Sequence, residues 1–190
     1  GGDIRVLKLL SENPEQYKDA AVEGIRRVLG VGNEQDLKEH LKYIDCVKMG
    51  TTVATNALLE RKGEDTVLVT TSGFRDVLRL GYQNRPKIFD RNIVLHSQLY
   101  GKVLEACERV DVKGNVLEEL NVQAIRSGLQ EASEEGYDSV AIVLLHGYKY
   151  PEHERKIADA ARELGFAQVS TSHETVPLVK IVGRGDTTVV

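Results

Sequence analysis

The chain is poor in the residues that mark several common protein classes. Its 190 residues include no tryptophan, one methionine, two cysteines and three phenylalanines. Cys46 and Cys107 lie far apart, each in an apolar stretch, so neither a disulfide framework nor a zinc site is expected. We predict instead two buried, reduced thiols in a cytoplasmic protein.

Long apolar runs and basic stripes are also lacking. The longest apolar run, residues 140–145, is far shorter than the roughly 20 residues needed to span a bilayer. The N-terminus has no charged-then-apolar signal pattern, so no membrane partner is expected. The formal net charge is −4, with lysine and arginine scattered among aspartate and glutamate. Without a basic stripe to neutralise phosphates, we expect no nucleic-acid partner.

Strand and helix patterns alternate through most of the chain. This alternation predicts an α/β fold, with a mixed sheet and flanking helices, in one domain covering residues 1–190. Strands are predicted at residues 4–10, 44–49, 66–70, 139–145 and 167–170, and a hairpin joins 103–110 to 116–120. Helices are predicted after Asn13-Pro14, over 53–61 and 74–80, and after Asn121 and Pro151.

The segment MGTTVATNALLERKG, residues 49–63, carries the most chemical information. Gly50 permits a tight turn where a strand ends, and Thr51 and Thr52 place two hydroxyls at the start of a helix. Free backbone amides there favour an anionic group, so we expect one wall of a polar, anion-tolerant pocket. Asn56 lies close to the same helix face as Thr52. The alternatives, that a threonine only caps the helix and that Asn56 only faces solvent, stay open.

A second candidate group lies in a long predicted loop, residues 81–95. Loops of this length are often functional in compact domains. Gln83, Asn84 and Arg85 are polar, and an arginine held beside Pro86 suits a carboxylate or phosphate. An ordinary surface arginine is the alternative.

His146 follows an apolar strand at its carboxyl end, which suits either a site or a hydrogen-bonded structural histidine. His153 lies in what we interpret as an exposed helix start. The histidines share no metal-like spacing, so we predict no metal ligand. The chain also lacks GxGxxG, GxxxxGK[ST], GxSxG and HExxH. Local chemistry therefore predicts a pocket but no reaction, and the catalytic residues stay unknown.

Residues 50–63, GTTVATNALLERKG, resemble the signature of the hydantoinase A and 5-oxoprolinase family. The start of the chain, residues 5–30, is similar to the ATP-dependent 5-oxoprolinase branch. Many hydantoinase-type members have histidine before GTT, whereas this chain has Met49, which favours the oxoprolinase branch. The resemblance continues in order through TTSGFRDVLRLG (70–81), QNRPKIFD (83–90), ERVD (108–111), LLHGY (144–148), PEHE (151–154), ARELGF (161–166) and RGDTTVV (184–190).

The resemblance implies an incomplete sugar kinase/actin-like (ribonuclease H-like) ATPase architecture. The family's first phosphate-binding loop, a DxGGTFTD-type motif, is absent, and the chain does not begin with methionine. We therefore expect the N-terminal part of a larger cytoplasmic homodimer, completed by the rest of its own polypeptide. The implied cofactors are ATP and Mg²⁺.

The implied reaction is the opening of 5-oxo-L-proline to L-glutamate with ATP hydrolysis, through a phosphorylated lactam, in glutathione turnover. On this resemblance Gly50, Thr51, Thr52 and Asn56 line the pocket near the transferred phosphate or the substrate. The loop residues Gln83, Asn84 and Arg85 would contact the substrate carboxylate or close over it. We expect the piece alone to be inactive.

Two alternatives remain. One is the N-terminal part of a hydantoinase or of an ATP-dependent ketone carboxylase subunit, because such carboxylases share this region. The other is a non-enzymatic domain that mainly supplies a subunit-packing surface.

Overall fold

The computed structural model of the chain describes residues 3–11, 13–32, 34–84 and 87–190. The chain divides into two compact units, Gly1–Thr51 and Thr52–Val190. Each unit has its own set of elements and is considered by itself. No helix in the described ranges is long and apolar enough to cross a membrane.

The first unit contains α1 (Ala20–Leu29) and α2 (Glu34–His40), followed by a 3-10 turn (Leu41–Tyr43). Helix α1 begins after Asp19, whose carboxylate accepts a hydrogen bond from the Val22 amide at 2.9 Å. It ends at Gly30, which takes the left-handed conformation with φ 70°.

The predicted start of this helix, at Asn13-Pro14, is wrong. The Asn13 carbonyl accepts from the amides of Gln16 and Tyr17, at 2.9 and 3.0 Å, and forms a turn that does not continue. Asp19 supplies the cap instead, because its side chain binds an otherwise unpaired amide of the first helical turn.

The predicted strands at residues 4–10 and 44–49 are also wrong. Neither segment pairs with another described segment, and most of their apolar side chains stay in solvent, with Ile4 91% and Val6 83% exposed. A strand needs a neighbour for its backbone groups, and local sequence does not show whether one is present.

The described part of the second unit contains six strands and six helices. The strands are β1 (Thr66–Thr71), β2 (Tyr100–Ala106), β3 (Arg109–Val110), β4 (Val116–Glu118), β5 (Ser139–Val143) and β6 (Gln168–Thr171). The helices are α3 (Val53–Glu60), α4 (Val77–Leu80), α5 (Val122–Glu134), α6 (Glu152–Glu163), α7 (Ser172–Thr175) and α8 (Ile181–Val189).

Four of these strands form a parallel sheet in the order β2-β1-β5-β6. Strands β3 and β4 form a separate antiparallel hairpin. The predicted hairpin is therefore present, but the segment assigned to its first strand is divided between β2 and β3. The chain runs outward from β1 to β2 and returns to β5, so the sheet has a topological switch point between β1 and β5.

Helices cover both faces of the sheet. Residues of α5 and α6, including Leu129 and Ile157, pack with Val67 and Val69 of β1 on one face. Leu78 of α4 packs with the opposite face, together with partly buried residues of α8. All residues of β1 and β5 are buried, as expected for strands covered on both sides. The predicted α/β class with flanking helices is confirmed.

The two cysteines do not lie in this core. Cys46 and Cys107 are both free and exposed, so the prediction of buried thiols is wrong. Cys46 lies in the irregular segment after the 3-10 turn, and Cys107 follows the last residue of β2. The apolar residues next to each cysteine in the sequence therefore did not predict burial of its thiol.

Candidate functional site

The glycine-threonine segment is exposed in the structure. Gly50 and Thr51 close the first unit, while Thr52 and Asn56 open the second, and all four residues are exposed. Thr52 occupies the N-cap position of α3, and its carbonyl accepts from the Asn56 amide at 2.8 Å. Its hydroxyl makes no capping hydrogen bond. The side chain of Thr52 therefore does not serve as a cap here, and neither threonine lies in a closed apolar core.

The second predicted group borders a large cavity in the Thr52–Val190 unit. This cavity has a volume of about 1170 Å³, somewhat above the usual range of roughly 300–1,000 Å³ for small-molecule sites. Gln83 and Asn84 line it, together with apolar residues of the loop that follows. Arg85 and Pro86 lie outside the described residues. Thr52 and Asn56 do not line this cavity, so the structure does not bring the two groups into one pocket.

The backbone of Gln83 is unusual at the edge of this cavity. Its φ is 57°, in the left-handed region that residues other than glycine rarely adopt. Such a conformation costs on the order of 1 kcal/mol and persists only where surrounding structure imposes it. The segment that carries Gln83 and Asn84 is therefore held in a defined path.

Sequence patterns did not single out three further polar residues that line the cavity. Arg79 lies on α4, Tyr100 begins β2, and Asp186 lies on α8. Burial, followed by the nearby carboxylates of Asp76 and Asp186, raises the pKa of Tyr100, and Arg79 opposes this effect. Partial burial also raises the pKa of Asp186. These residues lie 21 and 86 positions apart, so only the folded sheet and helices bring them together.

His146 follows β5, as predicted, at the carboxyl end of the sheet. Its Nδ1 is buried and has no hydrogen-bond partner among the described residues. Its ring meets that of Tyr148 edge-on, with 6.2 Å between the ring centroids. Its carbonyl accepts from the amides of Lys149 and Tyr150 and closes a tight turn. The histidine is therefore set in an ordered turn beside the switch point.

The same edge of the sheet contains a buried hydrogen-bond network. The hydroxyl of Thr71 donates to Glu108 Oε1 at 2.5 Å and accepts from the Leu145 amide at 3.0 Å. The other oxygen of Glu108 lies 2.8 Å from Nδ1 of His153. Glu108 and His153 are 2% and 4% exposed, so the prediction of an exposed His153 is wrong. The first turn of α6 faces the sheet because His153 pairs with Glu108.

Glu154 forms a second, adjoining part of this network. It is fully buried and accepts from the Leu144 amide at 2.9 Å and from the Ser172 hydroxyl at 2.6 Å, with Nδ1 of His173 at 2.8 Å. Arg184, also fully buried, donates to the Ser172 hydroxyl at 2.9 Å. Burial lowers the pKa of Arg184, and the charge of Glu154 opposes that shift.

The buried network connects segments that the sequence left separate. Glu108 belongs to ERVD, His153 and Glu154 to PEHE, Leu144 and Leu145 to LLHGY, and Arg184 to RGDTTVV. Ligands commonly bind at the switch point of an open α/β sheet. Here buried side chains fill that position and hydrogen-bond to one another, so this network stabilises the sheet edge instead of lining a pocket.

A sequence pattern described as "Hydantoinase/oxoprolinase N-terminal region" matches residues 1–165. The chain belongs to this family. It is 41% identical, over 213 aligned residues, to the 5-oxoprolinase of Dictyostelium discoideum. The alignment covers 97% of this chain and 17% of that relative. The chain thus spans about a sixth of the relative's length, and the predicted family is confirmed.

Two solved structures resemble the fold. The ATP-dependent caprolactamase from Pseudomonas jessenii matches with a TM-score of 0.72 and 26% identity, over 94% of this chain and 26% of that one. The nucleotide-free acetone carboxylase matches with a TM-score of 0.60 and 25% identity, over 70% of this chain and 21% of that one. Both matches are consistent with the expected sugar kinase/actin-like architecture.

No group of three histidine, cysteine, aspartate or glutamate side chains is placed to hold a metal ion within residues 3–11, 13–32, 34–84 and 87–190.

Proposed function

We propose that this chain is the N-terminal part of an ATP-dependent 5-oxoprolinase, which hydrolyses 5-oxo-L-proline to L-glutamate with ATP hydrolysis. The observation that carries the proposal is the 41% identity to a 5-oxoprolinase over 97% of the chain. The exposed glycine-threonine segment and the cavity beside Gln83 and Asn84 support it, because both offer polar groups to a ligand.

The reaction needs activation because a lactam is a stable amide. ATP, with Mg²⁺, would supply a phosphoryl group to the lactam oxygen, which makes the carbonyl carbon more electrophilic. Addition of water at that carbon and cleavage of the ring C–N bond would free the amine and leave an acyl phosphate, which a second water would hydrolyse to the carboxylate and phosphate. We assign to Gly50, Thr51, Thr52 and Asn56 the task of holding the phosphate or substrate. The uncapped hydroxyl of Thr52 and the positive end of the α3 dipole suit an anion.

The loop residues have a different task in this proposal. Gln83 and Asn84 line the cavity and can donate amide hydrogen bonds to the substrate carboxylate, and Arg85 would add a positive charge. His146, on its ordered turn, is a further candidate for a site role. The catalytic residues are not assigned.

The 190-residue chain by itself is expected to be inactive, as one domain of a longer cytoplasmic enzyme. The alignment covers 17% of the Dictyostelium relative. In an enzyme of that length, other parts of the polypeptide would supply the remaining active-site residues. We further propose that the complete enzyme is a homodimer and acts in glutathione turnover.

The test of the glycine-threonine segment uses the complete enzyme with Thr51→Val and Thr52→Val. Loss of a hydroxyl that contacts a charged group should lower kcat/KM about tenfold or more. Thr55→Val is the matched control, because Thr55 is exposed on the same helix and is expected to leave turnover unchanged. If the Thr51 and Thr52 variants behave like the Thr55 variant, neither hydroxyl contacts the phosphate or the substrate.

A second candidate function is an ATP-dependent ketone carboxylase or a hydantoinase subunit. The similarity to acetone carboxylase, with 25% identity and a TM-score of 0.60, supports this alternative. Assays of ATP hydrolysis with 5-oxoproline, with a hydantoin, and with a ketone plus bicarbonate would separate these activities. Stimulation by the ketone or the hydantoin alone would contradict the oxoprolinase proposal. Stimulation by none of them would favour the subunit-packing role.

A further inference from the structure

Three polar side chains of the cavity wall form no hydrogen bond or ion pair with any other residue that the structure describes. Arg79 forms no ion pair within the described part of the chain, and the Tyr100 hydroxyl and the Asp186 carboxylate form no hydrogen bond there. Arg79 and Asp186 are exposed and Tyr100 is half-buried, so all three remain accessible to a ligand. Unpaired polar groups in a mainly apolar cavity are the usual sign of a binding site.

The three groups lie close enough to influence one another. Leu78 of α4, Tyr100 of β2 and Val189 of α8 pack in one hydrophobic cluster beside the cavity, which brings the three elements together. Burial has the largest effect on the pKa of Tyr100 and raises it, as do the carboxylates of Asp76 and then Asp186, whereas Arg79 lowers it. A carboxylate acceptor, a phenol and a guanidinium donor therefore share one region of the cavity. Each comes from a different element, namely α8, β2 and α4.

This combination selects among ligand classes. A cation would be attracted by Asp186 but repelled by Arg79. An anion would be attracted by Arg79 but repelled by Asp186. A neutral group that offers a donor and an acceptor side by side satisfies both. The ring of a lactam holds its amide in the cis form, so the N–H and C=O lie on the same edge. The apolar side chains of Leu78, Ile93 and Leu99, which also line the cavity, suit its methylene groups.

We propose that Asp186 accepts the N–H of a cyclic amide, while Tyr100 and Arg79 donate to its carbonyl oxygen. The inference rests on the proposed function, because it places the amide of that reaction in the cavity bordered by Gln83 and Asn84. It adds the residues that select for a lactam whose ring nitrogen carries a hydrogen. The cavity is larger than one small ring, so the ring occupies only the part beside these three groups.

The experiment compares 2-pyrrolidone with N-methyl-2-pyrrolidone, whose methyl group removes the N–H donor. Calorimetry with the complete enzyme and no ATP measures both affinities. The parent enzyme should bind the N-methyl compound about tenfold more weakly or worse, because it leaves a carboxylate without its hydrogen bond. In Asp186→Ala the two affinities should become equal within about twofold.

Further variants keep the result interpretable. Asp186→Asn retains an acceptor oxygen and should give intermediate discrimination, and Tyr100→Phe should weaken both compounds by a similar factor. Asp65→Ala, at an exposed position outside the cavity, is the control and should keep the parent discrimination. Thermal unfolding of each variant shows whether it is folded, and Asp186→Asn is the replacement if Asp186→Ala is not.

The outcomes separate this inference from the proposed function. Equal binding of the two compounds by the parent, no binding of either, or unchanged discrimination in Asp186→Ala would overturn the amide site. If the site discriminates through Asp186 but 5-oxoproline does not stimulate ATP hydrolysis, the site stands and the proposed function fails. If turnover occurs with the same KM in the parent and in Asp186→Ala, the function stands and the site fails.

Discussion

Two buried acids, Glu108 and Glu154, organise the carboxyl edge of the sheet. Each receives hydrogen bonds from side chains or amides on several elements, and neither is more than 2% exposed. A buried carboxylate is tolerated only when such donors replace the water it has lost. The cost of removing one of these acceptors should therefore be large.

Glu154→Gln tests this expectation. The new amide nitrogen is a donor and must face at least one group that now donates, such as the Leu144 amide or the Ser172 hydroxyl. Loss of the negative charge also leaves buried Arg184 without its nearby acid. We expect the free energy of unfolding, from urea titration, to fall by about 3 kcal/mol or more. Glu152 lies on the same helix but is exposed, so Glu152→Gln should stay within about 0.5 kcal/mol of the parent.

Asp186 illustrates how a binding residue can reduce stability. Partial burial raises its pKa above the ordinary value of about 3.9. Well below about pH 3.9 the carboxyl group is protonated in both the folded and the unfolded chain, so it does not change the free energy of unfolding. As pH rises, the unfolded chain ionises first, so stability is lost until the folded pKa is passed.

Asp186→Asn should therefore stabilise the chain at pH 7, with little effect below about pH 4. The gain is expected to be at most about 0.5 kcal/mol, since the side chain is exposed. Urea unfolding at pH 3.5 and 7 measures it. A variant that is less stable at pH 7 than the parent would show that the carboxylate has a stabilising partner.

At the scale of elements, local sequence predicts those that carry their own signals. Helix α5 follows its predicted cap, since the Asn121 side chain accepts from the Ala124 amide at 3.0 Å, and Ile125 and Leu129 face the core. Strand β5 is predicted by its continuous apolar run, which suits a strand covered on both faces, and all of its residues are buried. The strands expected near residues 4–10 and 44–49 failed because pairing depends on partners that local patterns do not reveal.

The candidate site shows the same division. Gln83 and Asn84 were predicted from a run of polar residues in a long loop, and the structure places both in the cavity wall. Arg79, Tyr100 and Asp186 were missed because no local pattern marks them, since Arg79 lies in an ordinary predicted helix and the other two lie outside every predicted element. Only the parallel order of β2 and β1, with α4 and α8 on one face, brings the three together.

The hairpin of β3 and β4 depends on a glycine in its turn. Gly114 has φ 92°, and an added Cβ would lie 2.6 Å from Cε1 of Tyr150. Gly114→Ala therefore combines backbone strain with a steric clash. Gly136 has a similar φ of 96° but nothing within 4 Å of such a Cβ, so Gly136→Ala measures the backbone cost alone.

We expect Gly114→Ala to destabilise the chain by about 1 kcal/mol more than Gly136→Ala. Thermal unfolding of both variants against the parent gives this difference. Equal effects would mean that the Tyr150 ring moves aside without cost.

At the scale of the whole molecule, buried surface is distributed unevenly. The hydrophobic clusters all belong to Thr52–Val190 and centre on β1 and β5. None of the described side chains of Gly1–Thr51 is fully buried. Protection from hydrogen exchange follows the free energy of the opening that exposes each amide, and apolar burial is its main source.

Hydrogen exchange on the 190-residue chain should therefore separate the two units. Amides of β1 and β5 should exchange only through global unfolding, whereas those of α1 should exchange at least about a hundredfold faster through local opening. Helix α1 is capped at both ends and has paired charges, yet isolated helices of about ten residues are marginal in water. Ala158 and Ala161, on the buried face of α6, provide an internal reference for a helix that packs on the sheet. Equal protection in α1 and α6 would show that the first unit gains stability from contacts other than burial of its own side chains.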